Sequence, residues 1–431
     1  MRKPKAAPIL YPSNPSQNSV PENPQKLAVI NLIFQAGKYP LLHNRLTVFW
    51  PFTIATCSES DRKFLKFKLP NRALPFTFLG TALSICYFLN YTNSKFLIGT
   101  QSFSKLDTIC NIIWDLMIIG SDIANRIYGI VKLSKFKSFW FELVDIVEQF
   151  FQLVPKEDID VKFKQLNRWG LKWTLSFALL GITLFSTGIY FFAFAVQETP
   201  LNMLITAYLF FVLVVSPGRV FLVIFFLKII TFGFTICKIA LDSLPNKANN
   251  VDIMDYLKSQ KNTNKNEFPS NNTSTKLDTI LKLVASLEVS VKHLNSLFIV
   301  ILFGDTVYSF VQILFSMYFL HVESEGKDAT YYGCMAIQVV VSSISLICLC
   351  TAATQLTVEC DEMVGKFQDL SPETFSTNYY KVPLIVTRLT SDPPRIKVSN
   401  LFVIQESLLG AALHTIATYL VVLIQMRVAY K

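Results

Sequence analysis

Long apolar stretches separated by charged segments set the pattern of this chain. Crossing about 30 Å of hydrocarbon at 1.5 Å per residue takes about 20 apolar residues. Runs of that kind occupy residues 73–91, 107–130, 171–197, 203–227, 297–320, 331–353 and 401–426. The pattern predicts an all-α membrane protein with seven transmembrane helices. The stretch 203–240 stays apolar past one membrane thickness and is interrupted by Ser216-Pro217-Gly218-Arg219. Two spans there would leave almost no loop, so one helix is expected to run on beyond the membrane, with the proline tolerated as a kink.

Helical patterning continues outside the spans. Residues 229–245 and 277–296 keep an apolar stripe, with Leu277, Ile280, Leu281, Val284, Leu287 and Val291 mostly three or four apart, and such a stripe needs a partner. Between them, 246–276 is rich in Asn, Lys and Ser and reads as a flexible loop. Segment 356–396 is moderately amphipathic and broken by Pro372, Pro383 and Pro393-Pro394, which predicts two short helices and a turn. The inner ends of helices four to seven are expected to pack as a bundle that anchors subunits to one another.

Composition agrees with a membrane environment. Of 431 residues 52% are hydrophobic and only 16% charged, against about 25% charged in ordinary soluble domains. The net charge of +10 raises the question of nucleic acid until the basic residues are located. Segments 1–72, 131–170, 245–296 and 354–400 hold 30 Lys and Arg, whereas the alternating segments 92–106, 198–202, 321–330 and 427–431 hold 5. Basic residues are retained on the cytoplasmic side, so the N-terminus is expected inside and the C-terminus outside, with no nucleic-acid partner. That direction is opposite to the G-protein-coupled receptors.

Other classes find little support. An odd number of spans without matched broken helices argues against a secondary transporter, and no phosphate-binding loop is present to drive a pump. The eight Cys and four His have no metal-ligand spacing, and Cys348-Leu349-Cys350 lies inside an apolar run, so neither a metal nor another cofactor is expected. Residues 1–25 lack the apolar core of a signal peptide. The sequon at Asn90 falls just outside the first span and is a glycosylation candidate, while Asn271-Asn272-Thr273-Ser274 falls inside.

The most specific segment is Thr418-Tyr419-Leu420-Val421-Val422-Leu423-Ile424-Gln425-Met426. It resembles the insect gustatory receptor family, whose last helix ends in Thr-Tyr, five hydrophobic residues, Gln and Phe; Met426 stands in place of the Phe. Length, span count, inverted direction and the run Leu401-Phe402 to Leu408-Leu409 fit the same family. The resemblance implies a homotetrameric, ligand-gated, non-selective cation channel related to the odorant receptors, with the last helix of each subunit lining one pore. Assembly with other gustatory receptors stays open, and mono- and divalent cations would be the permeant ions.

The residues of that helix fit a water-lined path. Taking about 100° per residue from Glu406, Gly410 falls near 40°, Val421 near 60°, His414 near 80°, Gln425 near 100° and Thr418 near 120°. Glu406, His414, Thr418, Val421 and Gln425 thus share one arc of an otherwise apolar helix, as a pore face requires. Gln425 would form a ring of neutral amides at a gate, and Glu406 a ring of negative charge. Tyr419 lies near 220° on the same wheel and is assigned to packing and hydrogen bonding within its own subunit.

Ionisable side chains inside spans are functional candidates by default. Asp122 has Arg126 one turn on and reads as a same-helix pair. Asp115, close to Asn111 and Trp114, has no such neighbour, and for Asp305 the candidate partner is Arg219, nearer the inner interface. Tyr190, Tyr208, Tyr308, Gln312, Tyr332 and Gln338 collect in the outer halves of spans three to six, and aromatic bodies with a few polar groups make a small-molecule pocket. The resemblance implies a ligand pocket there, in the outer half of each subunit among helices two to six.

The chain divides into a cytoplasmic N-terminal segment 1–72, helices one to six over 73–355, an anchor segment 356–400, and the pore helix with a short external end over 401–431. The expected function is a gustatory receptor in the plasma membrane of a gustatory neuron dendrite, catalysing no reaction and gated by a tastant. The mix of Tyr, Asn, Gln and Asp with Phe and Leu favours a bitter plant compound. A sugar receptor of the fructose type is the alternative, with an odorant receptor, a transporter or a metabotropic receptor more distant.

Overall fold

The computed structural model describes residues 24–41, 53–59, 62–68, 82, 105–190, 200–244, 270–321, 329–370 and 380–429. The first expected span, apart from Ala82, and the sequon at Asn90 lie outside the described residues. The described elements are α1 (Pro24–Ala36), β1 (Thr53–Glu59), β2 (Arg62–Lys68), α2 (Lys105–Val131), α3 (Leu133–Leu153), α4 (Lys156–Tyr190), α5 (Pro200–Asp242), α6 (Ser270–His321), α7 (Ala329–Gln368), α8 (Lys381–Ser391), β3 (Lys397–Val398), β4 (Phe402–Val403) and α9 (Glu406–Ala429). The strands form two antiparallel hairpins, β1 with β2 and β3 with β4. The other described elements pack helix on helix.

Six of the expected spans fall on the long helices α2, α4, α5, α6, α7 and α9. Among the described residues, four stretches are long and apolar enough to cross a membrane: Gly218–Asp242, Thr275–His321, Met335–Gln368 and Glu406–Ala429. This is a multi-pass membrane protein. The single-helix reading of 203–240 holds, because α5 runs for 43 residues through Pro217. Pro217 has no N–H to offer the preceding turn, yet the helix continues. The half of α5 after Pro217 is packed on all sides, from Val220 to Leu227 and again at Ile229, Ile230, Phe234, Ile236 and Cys237.

The main core lies at the end where the helices extend beyond their apolar runs. There Leu277, Ile280, Leu281, Val284, Leu287 and Val291 of α6 are buried against α5 and α7, giving the expected stripe its partners. Helix α6 begins at Ser270, so the last part of the segment expected as a flexible loop is helical; residues 245–269 lie outside the described residues. Helix α3 falls where only a basic loop was expected. Its Phe136, Phe139, Trp140, Leu143, Val144, Val147 and Phe150 recur at helical spacing and are all buried. It stops at Val154, whose φ of −134° and ψ of 149° are what a residue before proline adopts, here Pro155.

Aromatic edges and a glycine set how closely these helices approach. Phe226 of α5 meets Phe136, Phe139 and Trp140 of α3 and Phe298 of α6 at centroid distances of 5.8, 5.3, 6.4 and 5.9 Å. At Gly233 a Cβ would stand 2.5 Å from Leu287 Cδ2 and 3.2 Å from Phe150 Cζ, so α5 and α6 touch there because no side chain intervenes.

Past α7 the chain makes one short helix rather than two among the described residues. α7 itself extends to Gln368, and α8 carries Pro383 in its first turn, where no intrahelical N–H bond is lost. Arg388 of α8 pairs with Glu288 of α6, and Lys381 with Asp278 at 3.2 Å. The hairpin β3–β4 then reverses the chain through Ser399, at φ 53°, which is why the last helix starts at Glu406 instead of 401.

Candidate functional site: a buried polar line and the last helix

Among the described residues three groups of polar side chains stand out in the membrane-spanning part, and all involve α6. The first is a buried network. Trp114 Nε1 of α2 donates to Gln312 Oε1 at 2.5 Å, and Gln312 Nε2 donates to Gln338 Oε1 of α7 at 2.5 Å. Ser316 Oγ stands 3.3 Å from Gln312 Nε2 and 3.4 Å from Gln338 Oε1. Gln312 lies on the same α6 face as Ser316, one turn apart, so one glutamine joins three helices. Tyr308, a turn earlier, is buried with Trp114, Phe315, Tyr318 and Phe319 in the apolar cluster around this network.

The second group is an ion cluster toward the main core. Arg219 of α5 places Nη2 2.9 Å from Asp305 of α6 and Nη1 3.6 Å from Asp122 of α2, and all three are at most 2% exposed. Buried charges persist only when paired, so Asp305 serves to hold Arg219. Asp122 likewise faces a neighbouring helix; the side chain of Arg126, its expected same-helix partner, lies outside the described residues.

The third group joins the last helix to the rest at the far end. Tyr318 Oη donates to Asp107 Oδ1 of α2 at 2.5 Å, and Arg427 Nε of α9 stands 3.7 Å from Asp107 Oδ2. The root of the last helix is held as well. Asn295 of α6 donates to the Arg395 carbonyl at 2.8 Å and accepts from the Lys397 N–H at 3.3 Å, while the Glu406 N–H donates to Thr354 Oγ1 of α7 at 2.9 Å. In the same hairpin Lys397 lies 2.9 Å from Asp392 and, by that hydrogen bond first and by charge second, holds its carboxyl below the usual carboxylate range.

Between its two fastened ends α9 touches its own chain along one edge. Ile416 is its only buried residue among those described; Leu420, Leu423 and Ile424 pack partly against Ile313, Leu314 and the cluster around Trp114. Glu406, Gly410, His414, Thr418, Val421 and Gln425 are all exposed, so the whole expected pore arc faces away from the chain. The Thr418 hydroxyl donates to the His414 carbonyl at 2.9 Å, leaving its lone pairs outward. Tyr419 departs from expectation. It is 52% exposed and has no hydrogen bond among the described residues, because the inward edge is already filled by Ile416, Leu420 and Leu423.

Of the expected ligand residues, Trp114, Tyr308, Gln312 and Gln338 come together, and Asp305 is one turn away. Tyr332 is half-buried near the start of α7. Asn111 and Asp115 lie on α2, Tyr190 on α4 and Tyr208 on α5, with side chains outside the described residues. Sequence reasoning missed Asp107, Tyr318, Ser316 and Arg427. Asp107 and Arg427 sit at the ends of apolar runs, where charges are unremarkable, and only the fold brings them together.

The family model described as 7tm Chemosensory receptor matches residues 46–430. The chain therefore belongs to the chemosensory receptor family, of which the insect odorant and gustatory receptors are the expected branches. Among solved structures, the insect olfactory receptor OR5 from Machilis hrabei is similar over 93% of this chain and 100% of its own, with a TM-score of 0.65 and 14% identity. The same receptor in complex with eugenol gives a TM-score of 0.64 at the same coverage and identity. At that identity the likeness concerns the fold. No curated protein matches the chain in sequence.

Proposed function

We propose that this chain is a gustatory receptor that works as a tastant-gated, non-selective cation channel of four copies in the plasma membrane. It spans the membrane seven times, N-terminus inside and C-terminus outside, and catalyses no reaction. The observation that carries the reading is α9: a helix of mean apolar character whose polar arc, Glu406, His414, Thr418 and Gln425, is exposed while one edge is fixed to its own subunit. Four such arcs facing one axis give water a path. Exposed Tyr419 and Val422 lie to the other side, where a neighbouring copy would cover them. The Thr-Tyr and Gln spacing favours the gustatory branch over the odorant one.

The ligand site is the region of Trp114, Tyr308, Gln312, Tyr332 and Gln338, with Asn111, Asp115, Tyr190 and Tyr208 on the facing helices. Aromatic surface around a few amides suits a bitter plant compound, and the eugenol bound by OR5 is of that small aromatic kind. A ligand inserted there competes for the bonds of Gln312, moves α6 against α7, and acts on the last helix through its two fastenings. Gln425 forms the narrow ring, Val421 and Thr418 line the path behind it, and His414 and Glu406 lie toward the inner mouth. The extensions around α8 anchor one subunit to the next.

Expression in oocytes with a panel of plant alkaloids, glycosides and sugars, followed by excised patches, tests this. Ligand-evoked single-channel steps without added nucleotide are expected, with Gln425→Ala changing permeation. Steps that need soluble partners, or uptake without steps, would replace the channel by a metabotropic receptor or a transporter, and responses to sugars alone would replace the bitter ligand.

A further inference from the structure

Between α4, α5 and α7 a cleft of about 300 Å³ opens at the level where their apolar runs end. Lys162, Gln165 and Trp169 of α4 line one side, Lys228 and Thr231 of α5 the floor, and Gln355 of α7 the other side. Three features give it a chemistry. The Lys228 ammonium is held 5.1 Å from the Trp169 ring centroid, and neither Lys162 nor Lys228 has a carboxylate at ion-pair distance among the described residues. The acid in the cleft, Glu359, already accepts from Thr235 and Lys238, each at 3.0 Å, so its charge is answered inside the protein.

The third feature is the flank that continues from the cleft. Trp169 and Trp173 stand at the end of the apolar run, where an interfacial aromatic belt belongs, and Leu175, Leu179 and Ile182 beyond them are exposed. A surface of exposed leucines running into two unanswered ammonium groups is apolar where acyl chains would lie and cationic where headgroups would lie. A soluble anion would meet the second half of that surface only.

We propose that this cleft binds the phosphate-bearing headgroup of an anionic phospholipid, with Lys162 and Lys228 facing its charge and Gln165, Thr231 and Gln355 donating hydrogen bonds. Basic pockets between transmembrane helices take such headgroups, each lysine strengthening binding about five-fold. The site is separate from the tastant region and from the pore arc. On the direction of insertion proposed above it meets the inner leaflet, where anionic lipids are concentrated.

The test uses the full-length protein in nanodiscs of phosphatidylcholine alone and of phosphatidylcholine with phosphatidylserine, reading retained lipid by native mass spectrometry and the melting temperature alongside. Retention of phosphatidylserine over phosphatidylcholine is expected, falling about five-fold in Lys162→Gln and again in Lys228→Gln. Gln165→Lys should raise it by a similar factor. Lys162 and Gln165 are exposed, so their variants carry the test even where Lys228→Gln fails to fold. Equal retention of the two lipids, or no response to Lys162→Gln and Gln165→Lys, overturns the proposal. So does inorganic phosphate that stabilises the protein in phosphatidylcholine discs as well as phosphatidylserine does, since the site would then be a free-phosphate site. Discs present lipid to both faces and no current is read, so the outcome is independent of channel function and of topology.

Discussion

Arg427, one residue beyond the signature at the end of the last helix, stands 3.7 Å from Asp107 at the start of α2, with side chains 18% and 3% exposed. The pair is too sheltered to be screened like a surface bridge and too open to be fully buried. Its worth falls between the two cases, about 1–2 kcal/mol. It joins the far end of the exposed helix to α2, a helix of the proposed ligand region. Arg427→Gln is therefore expected to free that end and raise the ligand-independent current, by about 5–30-fold in the open-to-closed ratio. Whole-cell recordings without ligand check this, and a basal current equal to the parent's would remove the latch from the mechanism.

Gln312 makes the second prediction. Replacing it by Leu keeps the volume but takes the acceptor from buried Trp114 Nε1 and leaves Gln338 Oε1 only its longer bond from Ser316, at about 1–3 kcal/mol for the indole. Ligand sensitivity is expected to fall about tenfold or more while surface expression stays measurable. A dose–response curve unmoved by Gln312→Leu would place the tastant elsewhere.

Arg219 holds Asp305 and faces Asp122 in the buried cluster. Arg219→Met removes the cation that faces two buried carboxylates and should destabilise the protein by about 3–5 kcal/mol. Adding Asp122→Asn and Asp305→Asn should recover part of that. Melting temperatures of the three proteins in detergent give the comparison; a triple variant no more stable than Arg219→Met would mean that charge is not what the cluster balances.

At Gly233 the gain from alanine's helix propensity, about 1 kcal/mol, meets a contact of 2.5 Å with Leu287. Overpacking of a filled core costs about 1–3 kcal/mol, so Gly233→Ala should be neutral to destabilising. Coupling it to Leu287→Ala should make it favourable. Thermal melts of the single and double variants, set out as a cycle, read the coupling directly.

Much of this fold was legible because membrane spans announce themselves by length alone. The unbroken α5 and the stripe of α6 were readable for the same reason: their patterns extend over many turns. Helix α3 was not, since its buried face, Phe136 to Phe150, alternates with Lys135, Lys137, Glu142 and Asp145, and counting basic residues for direction hid the periodicity. Within the site, Trp114, Gln312 and Gln338 could be nominated as polar groups in apolar runs. That they bond to one another, rather than to three different neighbours, depends on how α2, α6 and α7 are rotated, which no local pattern encodes. Tyr419 failed differently: the wheel gave its direction relative to Glu406, but not which edge the rest of the chain would occupy.

Asn295 grips the backbone on both sides of Ile396, and it belongs to the same continuous helix as Gln312, about 26 Å away at 1.5 Å per residue. No loop intervenes between the tryptophan-bonded amide and the base of the last helix. On the proposed gating, a tilt of that rod at Gln312 would be carried to residues 395–397 by one continuous helix, and lever length instead of side-chain relay would set how far the base swings.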